Sequence, residues 1–125
     1  MTTGTVLNRC VFVQLAIVDA EGQALEVEFV LDTGFTGVLT LAPAACAALE
    51  LLFLRLQPAG LADGSPLRLK VYLATLLWHD QERDVEVLAL EGAPLIGMTL
   101  LEDSEARFQG REGGFVSIEP SAVIG

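Results

Sequence analysis

The chain has 125 residues, enough for one domain with a single core that needs no disulfide or metal staple. Its 17 acidic and 7 basic residues leave a net charge of −10, which argues against nucleic acid or an anionic membrane as partner, since both call for clustered Lys and Arg. Hydrophobic residues make up 52% of the chain and aromatics only 6%, so the core is aliphatic, and so large an apolar share on a small domain implies that a partner subunit covers some of it.

Residues 1 to 9 carry no specific pattern. The run from Cys10 to Val18 is rich in Val, Ile and Phe and reads as a strand. Gln14 sits in its middle and only Arg9 precedes it, which fits a strand better than a signal-peptide core, and a cytoplasmic location is the expectation. A turn signal, "DAEGQA", follows. Residues 25 to 31 then alternate, with Val27, Phe29 and Leu31 on one side and Glu26 and Glu28 on the other, completing a hairpin. Past "DTGFTG", a short strand over residues 38 to 41 leads into "APAACAALELL", where Pro43 fits the first turn of a helix reaching about Leu51.

Two turn signals in "RLQPAGLADGSPLRL" suit a projecting hairpin or loop. Residues 67 to 77 predict a long strand, "HDQERD" a polar turn and "VEVLAL" the returning strand. "APLIGMTLLED" reads as a strand end, a glycine and a short helix, and "RFQGREGGFVSIE" as a final hairpin around Gly110 to Gly114. The sum is mostly β, a small closed or partly closed β-barrel with one or two short helices, in a single domain over residues 1 to 125. No apolar run is long enough for a membrane span. Cys10 and Cys46 read as buried, reduced thiols, and with His79 the only histidine a zinc site lacks ligands, so no metal or cofactor is expected.

Asp32-Thr33-Gly34 ends an apolar run, "FVL". Two readings fit the triplet. It is an Asx-type turn with Gly34 at positive φ. Alternatively, the strand is central and delivers Asp32 into partly buried surroundings, where a carboxylate is costly unless it is paired or shares a proton.

"VLDTGFTG", followed about sixty residues later by "APLIGMTLLE", resembles the retropepsin-like aspartic proteases, in particular their small bacterial single-domain members. The resemblance covers roughly residues 10 to 118 and implies an acid-protease barrel that hydrolyses peptide bonds. Such chemistry needs two close carboxylates sharing one proton and a water between them, and this chain holds one D-T-G. A two-fold homodimer pairing Asp32 with its symmetry mate would complete the site. By the same resemblance, Thr33 would hydrogen-bond across the two-fold axis and Gly34 would admit substrate backbone. Phe35 and Leu95 would line subsites, and Ile96 and Gly97 would pack beneath the loop. Ala62, Asp63 and Gly64 would form the tip of a flap closing over the peptide.

The chain departs from the viral pattern together at two places. Viral members carry Ala and then Asp after D-T-G, and an Arg after the downstream glycine that pairs with that Asp; here Phe35, Thr36 and Met98 stand there. The terminal segments lack the viral signature, although by analogy they would pair across the dimer. Other chemistries are weaker: Ser104, Ser117 and Ser121 have no nucleophile-elbow context, and His79 lies in a polar turn. An inactive peptide-binding module of the same fold remains the alternative to a peptidase.

Overall fold

The structure is a computed structural model and describes residues 1–60, 64 and 66–122. Its strands are β1 (Thr2–Leu7), β2 (Cys10–Val18), β3 (Ala24–Leu31), β4 (Leu39–Leu41), β5 (Leu52–Gly60), β6 (Pro66–Trp78), β7 (Gln81–Ala89), β8 (Leu95–Ile96), β9 (Ser104–Phe108) and β10 (Phe115–Pro120). One helix, α1 (Pro43–Ala48), follows β4.

All ten strands join one sheet in the order β5-β6-β7-β4-β8-β3-β2-β1-β10-β9, and β2 also pairs with β6. That extra pairing closes β6, β7, β4, β8, β3 and β2 into a ring, and β5 and the β1-β10-β9 group extend from it. Closure removes sheet edges, which leaves the outer sides of β5 and β9 as the free ones. Inside the ring lie Val13, Ile17, Phe29, Leu39, Leu41, Leu76, Val87 and Ile96, all at most 1% exposed. The mostly β, partly closed barrel expected from the sequence is the fold observed.

Several elements differ from expectation for local reasons. The polar turn shrinks to His79-Asp80, both left-handed at φ 52° and 63°, and residues 81–84 belong to β7. Two consecutive positive φ values make the tight hairpin whose twist matches the strands it joins. Asn8 and Arg9, at φ 50° and 64°, build the same kind of turn between β1 and β2. α1 stops short of Leu51 because Glu50 turns left-handed (φ 53°) and the Leu51 N–H reaches back to the Cys46 carbonyl at 3.1 Å. Residues 98–103 form turns instead of a second helix. Their bonds run three residues back, from Glu102 N–H to Thr99 O and from Ser104 N–H to Leu101 O, and Asp103 is left-handed.

β1 pairs with β2 on one side and with β10 on the other, so the terminal strands meet within one chain. Gly4 makes the close approach possible: a Cβ there would lie 1.8 Å from the Phe12 carbonyl oxygen.

Candidate active site

β3 and β8 run parallel, with Val30 beside Leu95 and Leu31 beside Ile96, so the two sequence motifs come together at one end of the ring. The Asp32 N–H donates to the Ile96 carbonyl at 3.0 Å. Beyond it, the loop through Gly37 is stapled to residues 97–99. Gly97 N–H donates to Val38 O (2.9 Å), Met98 N–H to Phe35 O (2.8 Å) and Thr99 N–H to Gly37 O (3.1 Å). The Thr99 hydroxyl adds a bond to the Thr36 carbonyl. Buried backbone groups need such partners, and here they immobilise the loop that carries the carboxylate.

Asp32 is half-buried, and its Oδ1 accepts the Gly34 N–H at 2.9 Å. The Asx turn is therefore present, and it orients the carboxylate; turn chemistry and a functional carboxylate coexist. Gly34 is not at positive φ, contrary to the turn reading. A Cβ on it would meet only Asp32 Oδ1, at 3.2 Å. Thr33 is exposed, and its hydroxyl has no partner among the described residues.

Phe35 is half-buried and lies against the two glycines: a Cβ on Gly37 or Gly97 would come within 2.6 Å of its ring. Phe35 also lines a cavity of about 200 Å³ with Val38, Gln57, Val71 and Leu88, so the β5–β6 hairpin faces the loop across it. Gly64 is exposed and left-handed at φ 83°. Ala62 and Asp63, expected at the flap tip, lie outside the described residues. Leu95 is half-buried, and Ile96 is fully buried beneath the loop.

Two supporting residues escaped the sequence reading. Thr99 follows the glycine motif directly. Thr40, the one polar side chain among the buried residues described, accepts the Leu95 N–H on its hydroxyl at 2.9 Å. A hydroxyl inside the apolar "VLTLA" was the available signal. Thr40→Val keeps the shape but orphans that N–H, and is expected to cost about 1–3 kcal/mol. A lower denaturant midpoint at unchanged slope would show it, with Thr40→Ser retaining most of the stability.

A second polar contact joins distant segments: His79 Nε2 lies 2.8 Å from Ser104 Oγ. His79 Nδ1 is buried without a partner among the described residues, so no carboxylate orients the ring as a serine triad requires. Its ring also packs on Trp78, with centroids 4.4 Å apart. Burial holds the His79 pKa below the ordinary imidazole value, helped by the N-terminal charge and Arg83 and opposed by Asp80. A base with a lowered folded pKa stabilises fully above its unfolded value of about 6.5, and that contribution is lost as pH falls. The wild-type melting temperature should therefore drop more steeply between about pH 7 and pH 5 than that of His79→Asn. Asparagine tolerates the left-handed backbone there.

Cys46 is fully buried, and burial pushes its thiol pKa up; Cys10 is only half-buried, and neither forms a disulfide. Among the described residues no helix is long and apolar enough to cross a membrane, and no cluster of three or more His, Cys, Asp and Glu could hold a metal ion.

No protein-family model matches the chain, and no curated protein matches it at significance. Among solved structures, a retropepsin-like aspartic protease from Rickettsia conorii is similar over 98% of this chain and 96% of its own, at 16% identity and a TM-score of 0.56. EIAV protease, complexed with the inhibitor HBY-793, is similar over 72% of this chain and 85% of its own, at 16% identity and a TM-score of 0.50. With the ring closure and the paired motifs already described, these likenesses show that the chain has the fold of the retropepsin-like aspartic proteases.

Proposed function

We propose that the chain is one half of a homodimeric aspartic endopeptidase. The observation that carries this reading is the Asp32 carboxylate, oriented by the Gly34 N–H on a loop stapled by five hydrogen bonds, within a retropepsin-like fold. One protomer offers one such carboxylate, and an acid–base pair needs two. In a two-fold dimer Asp32 and Asp32 of a second copy lie too close to ionise together, so they share a proton. The ionised member takes a proton from the bound water as its oxygen attacks the scissile carbonyl carbon. The protonated member gives its proton to the carbonyl oxygen. Collapse of the tetrahedral diol then breaks the C–N bond: the carboxyl that took the water's proton gives it to the amide nitrogen, and the other carboxylate takes back a diol proton as the carbonyl re-forms.

Exposed Thr33 supports the dimer, being free for a bond across the axis. Exposed apolar side chains on the terminal strands and the turn after Gly97 support it too: Leu7, Met98 and Phe115 are 42–54% exposed. Leu95 and Phe35 would line subsites, and Ala62, Asp63 and Gly64 would close over the peptide from the β5–β6 hairpin.

The test is a dilution series of the wild type against a peptide library, with the dimer fraction measured at each concentration. Cleavage per protomer should fall with the dimer fraction. A rate per protomer that stays constant where the protein is monomeric would sink the shared-site reading. Peptide binding without any cleavage would leave a binding module of the same fold.

A further inference from the structure

The largest cavity described, about 770 Å³, lies between the β1–β2 turn and the β9–β10 loop, with Val6, Arg9, Val11, Phe108, Arg111 and Glu112 among its lining residues. The chain has only seven basic residues in all. Arg55 is paired with Glu86 and Arg107 with Glu105. Arg9 and Arg111 have no ion pair among the described residues, yet both line this one cavity. Among the described residues the Arg111 side chain donates one hydrogen bond, to Gln109 Oε1 at 3.3 Å. The single carboxylate of the wall is engaged, since Glu112 Oε1 accepts the Asn8 N–H at 2.8 Å and ties the two loops together.

Register sets the β1–β2 side of this cavity toward the end of the ring that carries Asp32. β2 and β3 pair antiparallel from Val18↔Ala24 to Phe12↔Val30. The pairing ends there; two residues further along each strand stand Cys10 and Asp32, and Arg9 directly precedes Cys10 in the turn. A peptide lying over Asp32 would have two guanidiniums and the apolar flank of Val11 and Phe108 within its course. We propose that Arg9 and Arg111 form a carboxylate-recognising subsite, which selects peptides carrying a negative charge near the scissile bond. This rests on the peptidase reading for the word "scissile", but the recognition itself does not need cleavage.

The chemistry is specific to planar anions, because a guanidinium offers parallel donors that match both oxygens of a carboxylate. The protein's overall charge of −10 would repel an acidic peptide at long range. Screening confines that repulsion to about 8–10 Å at 0.10–0.15 M salt, so the local pair decides the outcome at contact.

The test uses full-length Asp32→Asn, which binds without cutting, and labelled peptides that differ by Glu or Gln at scanned positions. Each peptide carries either a free or an amidated C-terminus. Glu peptides should bind about tenfold tighter than Gln peptides, and this preference should vanish in Arg9→Gln/Arg111→Gln while Gln-peptide affinity stays the same. Arg9→Lys/Arg111→Lys, which keeps the charge, should retain part of the preference and shows that the turn still folds. If the preference follows the free C-terminus, the carboxylate recognised is the chain end; if it follows Glu, it is a side chain. Equal binding of Glu and Gln peptides with either terminus would overturn the proposal, as would a preference that survives in the double Gln variant. Loss of the dimer in that variant, with preference unchanged, would assign the arginines to the contact between copies and overturn it as well. Absence of cleavage by the Asp32 protein would count against the peptidase reading alone, because binding to Asp32→Asn still judges the arginine pair.

Discussion

Asp32→Asn is expected to reduce peptide cleavage by about 10²–10⁴-fold or more while leaving the dimer fraction unchanged, because the amide can neither take the proton of the water nor share one with the opposite carboxylate. The fold should tolerate it: the side-chain oxygen of Asn still accepts the Gly34 N–H, which Asp32 accepts at 2.9 Å. Mixing sharpens the test. If wild type and Asp32→Asn exchange protomers freely, an equal mixture holds wild-type pairs in only about a quarter of its dimers. Added mutant should therefore suppress wild-type activity below simple dilution. Activity in the mixture that equals the sum of its parts would show that each protomer works alone.

Gly97→Ala should be among the most damaging small substitutions next to the candidate active site. Its Cβ would sit 2.2 Å from the Gly37 carbonyl oxygen and 2.6 Å from the Phe35 ring. A ring can swing aside. The carbonyl cannot, because Gly37 O already accepts the Thr99 N–H at 3.1 Å. Overpacking of this kind costs about 3 kcal/mol or more, which corresponds to a melting temperature lower by roughly 10 °C for a chain of this size. Phe35→Ala alone should cost about 2–3 kcal/mol, since its ring is half-buried and loses only part of a core contact. The double variant discriminates between the two obstacles. If Gly97→Ala stability recovers when Phe35 is also truncated, the ring was the barrier; failure to recover locates it in the backbone.

Much of the barrel was legible because its signals are local and redundant. The alternation of Val27, Phe29 and Leu31 against Glu26 and Glu28 specifies a strand whatever else the chain does. Gly110 to Gly114 punctuate a hairpin in the same way. Tight turns without glycine were less legible: "HD" was read inside a longer polar turn, and nothing in "NR" or "HD" announces two left-handed residues, which the strands on either side impose. The short helix after Gly97 failed for a different reason. Helix propensity in "MTLLE" is adequate, but Thr99 turns its amide and hydroxyl to the loop at residues 36 and 37, and tertiary bonding overrides propensity. The same non-locality hid Thr40, whose partner Leu95 is 55 residues away, and the meeting of His79 with Ser104. The proximity of the two motifs was expected only through resemblance; the parallel β3–β8 pairing supplies its geometry.

β5 has a consequence for handling the protein in acid. Its outer side is a free sheet edge, and Leu52, Phe53, Leu54 and Leu56 along it are 37–63% exposed. Pro58 interrupts donors only toward the far end of the strand. At neutral pH the charge of −10 keeps copies apart. Near the isoelectric point of about 4.3 that repulsion disappears, and the bare edge becomes the stickiest part of the surface. Particle mass measured there would count edge-to-edge adducts together with the proposed dimers, so colloidal state and dimer assembly need separate readouts below about pH 5.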